Sequence, residues 1–361
     1  MQLLDKLREE VKVVDREIMR LVGKRVALVR AIGEEKREKG IPLRNWEVEK
    51  SVMENVEHSA EEFDITVSLV KSIMHRLVEE SRIEQERLHY SACTEDEENI
   101  LIIGGRGEMG RWFCSFFQNQ GHNPSVYDLS GVSKQFKSYR NLQTGLQENS
   151  FILIATPLDQ ISLVINDITE LGYKGVVFDI ASLKAHLRDS INHARENGIS
   201  ITSIHPMFGP YTRTLSDKVI CLCDCGDDEA NERVKSLFQN TSADIVRLTL
   251  EEHDHLISYV LGLSHIINVV FIKSLVNSGY TYSQLKNVAS TTFLAQMETV
   301  QSVIEENPLL YYAIQRLNPF KEELYKNLKE AVDCVITAVL KGDGKKFSRI
   351  MEQGRRWLEM V

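Results

Sequence analysis

The feature that most constrains this chain is a short apolar run, Ile100-Leu101-Ile102-Ile103, followed after one glycine by Gly105-Arg106-Gly107-Glu108-Met109-Gly110 and then by a helical pattern. A strand, a glycine loop and a helix in that order form a site for a dinucleotide: the first glycine makes a tight turn, the second lets backbone approach a pyrophosphate, and the third lets the helix pack closely. Amides at the helix start favour the phosphate charge. Asp128 follows about 20 residues on, at the end of an apparent second strand, where an acid accepts from ribose hydroxyls and repels a 2′-phosphate. Residues 105–110 and Asp128 are therefore candidate cofactor-binding residues, with NAD favoured over NADP.

Around this loop the texture alternates. Apolar runs at 124–127, 151–155, 176–180, 199–204 and 219–223 read as buried strands with helical patterns between most of them, which predicts a parallel α/β sheet. Open sheets of this kind place ligands at the carboxyl ends of their strands. Thr156-Pro157, Ser182 and Lys184, and His205 each follow such an end. Thr156 and Pro157 are candidate cofactor contacts. Pro206 keeps His205 extended, giving a titratable imidazole a fixed direction toward a bound nicotinamide.

Before residue 90 the pattern is entirely helical. Leu4, Leu7, Val11, Val14, Ile18, Leu21, Leu28 and Ile32 recur at spacings of three and four, a seam interrupted by Arg25. Gly40-Ile41-Pro42 closes the helix after about 35 residues, roughly 50 Å, which is too long for the rest of the segment to cover. Such a helix needs a partner. Arg25 stands where an apolar side chain is expected, and an anionic ligand or a neighbouring Glu would compensate its burial. Helical patterns follow at 45–61 and 66–88, then a polar linker at 91–99. Beyond Glu251 only amphipathic helices remain. The expected organisation is an all-α domain at 1–92, a Rossmann-type α/β domain at 98–250, and an all-α domain at 251–361.

Charge and cysteine usage narrow the partners. Lys plus Arg number 43 against 52 Asp plus Glu, a net charge of −9 that disfavours nucleic acid. The first turns mix charge with apolar residues and no uninterrupted apolar run reaches about 18 residues, so neither a signal peptide nor a membrane span is expected. Six cysteines without a CxxC pair fit a reducing cytoplasm. Cys221, Cys223 and Cys225 share one strand face, a poor arrangement around one tetrahedral ion, and no metal is expected.

The glycine loop, residues 181–184, the His205-Pro206-Met207-Phe208-Gly209-Pro210 segment and Glu252-His253-Asp254 closely resemble prephenate dehydrogenases, and the first 90 residues resemble all-helical chorismate mutases. Their order is that of the bifunctional chorismate mutase/prephenate dehydrogenases of tyrosine biosynthesis. The resemblance implies that chorismate is rearranged to prephenate, which is then oxidatively decarboxylated to 4-hydroxyphenylpyruvate with hydride transfer to NAD. In the mutase half it assigns Arg8, Arg25 and Lys36 to the first helix, Glu49 to the second, and Ser81 and Gln85 to the third. Arg8 and Arg25 would hold substrate carboxylates, and Lys36 and Gln85 would meet the ether oxygen. Roughly 25 Å separates the two arginines along one helix, so two chains of a homodimer must share each site.

In the dehydrogenase half the resemblance makes His205 the base that deprotonates the ring hydroxyl and Ser182 the residue orienting it, with Lys184 and His265 as further active-site positions. It gives His253 a peripheral role. For His265 a satisfied core histidine is the competing reading. Tyrosine feedback is common in the family, though no residue here marks it. Asn45 and Val48 depart from the mutase pattern, and Leu294 and Ser302 stand where substrate-binding arginines are usual, leaving Arg213 or Arg316 as substitutes. These departures keep two alternatives open: an arogenate-type dehydrogenase, or a catalytically weak sensor of NAD and an aromatic ligand.

Overall fold

A computed structural model describes residues 2–39, 56, 59–89, 97–239 and 241–360. Helix α1 (Gln2–Glu38) and helix α2 (Val67–His89) form the front of the chain. They pack together along the second half of α1, where Val29 is buried. Toward the amino end of α1, Leu4, Leu7, Val11, Val14 and Ile18 remain about half exposed, the uncovered continuation of the seam. The part of the expected second helix at 45–55 lies outside the described residues, whereas 59–62 are helical.

The α/β region runs β1 (Asn99–Ile103), α3 (Glu108–Asn119), β2 (Asn123–Tyr127), β3 (Lys137–Tyr139), α4 (Leu142–Glu148), β4 (Phe151–Ile154), α5 (Ile161–Glu170), β5 (Val176–Asp179), α6 (Arg188–Glu196), β6 (Ser200–Pro206), β7 (Val219–Asp224), α7 (Asp228–Ser236) and β8 (Asp244–Thr249). The strands make one eight-stranded sheet in the order β3-β2-β1-β4-β5-β6-β7-β8. From β3 to β6 the pairing is parallel, with Ile103 beside Tyr127 and Ile154 beside Asp179. Strands β1, β4 and β5 are near-continuous apolar runs because helices cover both faces of such a sheet.

The expectation of a wholly parallel sheet is corrected at β7, which runs antiparallel to β6 with His205 opposite Cys221. The connection at 207–218 contains no helix. A parallel neighbour needs a crossover, while an antiparallel one can be reached by a loop. Strands β3 and β8 were not anticipated either. Both show half-exposed polar patterns, such as Lys137-Ser138-Tyr139, that lack a buried strand's apolar signature.

The remaining helices are α8 (Leu250–Ile257), a π-helical turn (Ser258–Leu263), α9 (Ser264–Asn277), α10 (Tyr282–Lys286), α11 (Thr291–Ile304), α12 (Pro308–Leu317), α13 (Lys321–Leu340) and α14 (Gly344–Leu358). Thr249 starts α8 with a capping box, its hydroxyl accepting from Glu252 N–H while the Glu252 carboxylate accepts from Thr249 N–H. Contacts divide the chain into two units. The first holds 1–156, 160–181 and 190–248; the second holds the helices from Thr249 onward together with 157–159 and 182–189.

One helical run, Leu250–Asn277, is long and apolar enough to cross a membrane by length and composition alone, although polar residues interrupt it. Five of its polar side chains, His253, Asp254, Ser258, His265 and Asn268, are buried, while Glu251, Glu252, His255 and Lys273 are exposed.

Candidate functional site

In the first unit the glycine loop makes a cradle that side chains would fill. A Cβ on Gly110 would come within 2.3 Å of the Gly104 carbonyl, and one on Gly105 within 2.7 Å of Val126. Gly107 is the N-cap of α3 and caps nothing with a side chain, so the first-turn amides are available to an anion. Asp128, directly after β2, accepts from Arg106 N–H at 2.9 Å and Ser130 N–H at 2.8 Å. Partial burial opposes its charge, but the Ser130 hydroxyl, which also donates to it, and these two amides prevail and hold its carboxyl below the usual range. The Arg106 guanidinium folds onto Ser130, reaching its hydroxyl at 2.8 Å. Arg106, Glu108 and Gly107 are exposed at the rim, while Met109 packs partly against the core.

Thr156 follows β4, and its Oγ1 is buried without a hydrogen-bond partner among the described residues. A buried hydroxyl left this way is costly unless something donates to it or accepts from it. The orphan hydroxyl, the bare helix start and the Cβ-excluding glycines together fit a dinucleotide. His205 lies in the last turns of the β6 ladder and is 5% exposed. The loop after it is pinned by Trp112 of α3, whose indole N–H donates to the Thr212 carbonyl at 2.8 Å while its ring lies 5.0 Å from Phe208.

Pro157, Ser182, Lys184 and His265 belong to the second unit. There the Asp254 carboxylate gathers backbone donors from Lys184 at 2.8 Å and Ala185 at 2.6 Å, with His253 Nδ1 at 2.8 Å. Lys184 and His253 are wholly buried, and Asp254 nearly so. His253 thus acts in this structure as a partner of the residue that fastens the 182–185 turn. His186 Nε2 meets the Leu158 carbonyl at 2.9 Å, tying the turn after β4 to the same unit. His265 sits in the first turn of α9, 9% exposed, stacked on Tyr311 with ring centroids 4.2 Å apart. Its Nδ1 has no partner among the described residues, and burial pushes its pKa down to about 4, so the ring is neutral at neutral pH. The ring is thus held by stacking, with an Nδ1 that no described residue uses.

In the helical front, Arg25 donates to the Leu77 carbonyl at 2.6 Å and to the Ser81 hydroxyl, so α1 and α2 bring two of the expected mutase residues together. Both partners are neutral; among the described residues no Glu neutralises Arg25, and burial pulls its pKa below the usual value. Lys36 is half-buried near the end of α1. Arg8 is exposed at the other end with Asp5 at 3.4 Å, and the chain does not bring it to Arg25. Glu49, Asn45 and Val48 lie outside the described residues, as does the side chain of Gln85.

Sequence reasoning did not find Trp112, Tyr311, Gln315 or Tyr325, because an aromatic or amide on an amphipathic helix carries no local mark of what it touches. The only hint for Asp254 was its place in a motif.

Residues 7–86 match the family described as chorismate mutase type II, residues 128–247 the nucleotide-binding domain of prephenate dehydrogenase, and residues 249–353 its dimerization domain. The T-protein of Enterobacter agglomerans is similar at 24% identity over 354 residues, spanning 98% of this chain and 92% of that protein. Prephenate dehydrogenase from A. aeolicus, solved with hydroxyphenyl propionate and NAD+, shares the fold with a TM-score of 0.60 at 14% identity, covering 74% of this chain and 100% of that one. Synechocystis arogenate dehydrogenase does so at 0.57 and 16% identity, covering 72% and 99%. The chain thus belongs to the type II chorismate mutase family over residues 7–86 and to the prephenate dehydrogenase family over residues 128–247 and 249–353.

Proposed function

We propose that this chain, as a homodimer, rearranges chorismate to prephenate in its helical front and oxidises prephenate to 4-hydroxyphenylpyruvate and carbon dioxide in its α/β and C-terminal domains. The observation that carries the oxidative half is the glycine cradle beside the orphaned Thr156 hydroxyl. Residues 105–110 would hold the pyrophosphate, Asp128 a ribose hydroxyl, and Thr156 with Pro157 the cofactor's far side. NAD, when bound, supplies the hydride acceptor. The work of the chain is then to prepare the donor: His205 takes the proton of the ring hydroxyl, which drives electron density toward the carbon that loses hydride. Carbon dioxide leaves with its bond pair flowing into the ring, which becomes aromatic, and the new carbonyl oxygen recovers a proton as a phenol. Ser182, Lys184 and His265 are assigned to the substrate's polar groups.

The mutase step is pericyclic and needs no proton transfer, so preorganised charge suffices. Arg25, already desolvated and directed by Ser81 and Leu77, is set to bind a substrate carboxylate. Lys36 and Gln85 are assigned to the ether oxygen, and Glu49 completes the set. Arg8 must come from a second chain, and the half-exposed seam of α1 from Leu4 to Ile18 is the surface that chain would cover. The free cysteines, four of the five described ones buried, support a cytoplasmic setting.

Feeding chorismate with NAD and following NADH together with 4-hydroxyphenylpyruvate tests both halves at once; NADH without that product rejects the reading. A second substrate is favoured by one observation: helix α11, with Leu294 and Ser302, carries no Lys or Arg. Arogenate, whose amino group alters the demand for a cation, is the matching alternative, and turnover measured on each substrate separately decides between them.

A further inference from the structure

The C-terminal helices contain an irregularity that the proposed reaction does not explain. Between α8 and α9 the backbone winds as a π helix over Ser258–Leu263. Such a turn inserts one residue into the helix and rotates every following side chain by about 100° relative to an uninterrupted one. It survives only where surrounding structure holds it, and it recurs at functional sites.

Here the holding groups are visible. The Gln315 side-chain amide donates to the Gly262 carbonyl at 2.9 Å, inside the wide turn. The Tyr325 hydroxyl donates to Gln315 Oε1 at 2.6 Å, which fixes the amide with its NH2 toward Gly262. Gly262 is closely approached as well: a Cβ there would lie 3.1 Å from Leu324 Cδ2 and 3.2 Å from Asn318 Nδ2. One turn before Gln315 on the same helix, Tyr311 stacks on His265. Beyond the turn, Asn268 also points inward and accepts from Gln296 at 2.8 Å. Helix α12 therefore grips the run twice, at the backbone of the π turn through Gln315 and at the imidazole three residues later through Tyr311.

We propose that Gln315, oriented by Tyr325, is a positioning residue that holds the π turn and thereby fixes the rotation of α9 which carries His265. This inference rests on the reading of His265 as a substrate-side group. The leucine variant Gln315→Leu removes the donor to Gly262. Gln315→Glu keeps the shape and still accepts from Tyr325 but offers no N–H, so it separates the hydrogen bond from packing. Tyr325→Phe leaves the amide free to turn over.

The test is a double-mutant cycle in the full-length dimer, with turnover of prephenate as readout and NAD affinity, thermal midpoint and mutase rate measured alongside. The expected result is a fall in kcat/KM for prephenate of about tenfold for Gln315→Leu and Gln315→Glu and about threefold for Tyr325→Phe, with NAD affinity and mutase rate unchanged. In a His265→Ala background the same substitutions should cost nothing further. Losses that multiply with that of His265→Ala overturn the positioning role. A His265→Ala variant with full turnover overturns the reading of His265, and the proposal falls with it. Loss in Gln315→Leu but full activity in Gln315→Glu shows that packing alone matters and also overturns it.

Discussion

The guanidinium of Arg25 donates to the Leu77 carbonyl at 2.6 Å, fastening α1 to α2 through a cation whose other hydrogen-bond acceptor is a neutral hydroxyl. Among the described residues no carboxylate meets that charge. Arg8 lies roughly 25 Å away along the same helix, so each proposed mutase site needs both chains.

Mixing two inactive variants exposes that sharing. Arg8→Ala and Arg25→Ala homodimers should each lose nearly all mutase turnover. After subunit exchange about half the dimers are mixed, each with one intact site, and activity should return to about a quarter of the wild type. Absence of recovery despite exchange, monitored by mass-tagged subunits, rejects the shared site.

Gly110→Ala places a methyl 2.3 Å from the Gly104 carbonyl, which is backbone and cannot swing aside. The loop must shift, at a cost of about 1–3 kcal/mol. Calorimetric titration should show NAD affinity weakened at least tenfold while the mutase rate is kept. Unaltered affinity would remove this loop from the cofactor site.

His205→Asn preserves size and polarity but cannot take the proton. Prephenate turnover should drop on the order of 10²–10⁴-fold, with NAD affinity and mutase rate nearly unchanged. Weakened NAD binding instead would mean that His205 serves the cofactor rather than the substrate.

Asp254 collects the Lys184 and Ala185 amides and meets His253 inside the second unit. Asp254→Ala leaves those donors buried and unpaired, and stability should fall by about 3–5 kcal/mol. Asp254→Asn keeps acceptors for part of the set and should lose less. Chemical denaturation of the dimer measures both, and equal losses would show that the carboxylate's hydrogen bonds are not what fastens the turn.

His265 gives stability a pH dependence of known sign. Its pKa falls from 6.5 to about 4 on folding through burial, so between those values the unfolded chain binds the extra proton. The contribution is complete above about pH 6.5 and drains away as pH falls toward 4, on the order of 2–3 kcal/mol in all. His265→Gln does not titrate, so the gap in thermal midpoint between wild type and variant should shift against the wild type from pH 7 to pH 5. Parallel curves would contradict the buried neutral imidazole.

Local pattern alone determined much of this molecule. A seam at spacings of three and four specifies α1, apolar runs specify β1, β4 and β5, and the loop at 105–110 shows its chemistry because only glycine tolerates such close approach. Arg25 was legible as a cation out of place in that seam. Tertiary structure decided what depends on partners distant in sequence: the reversal of β7, the short polar strands β3 and β8, the grouping of 157–159 and 182–189 with the C-terminal helices, and the π turn held by Gln315. Periodicity reports which face of an element is buried; it carries no record of which distant backbone or side chain will complete its hydrogen bonds.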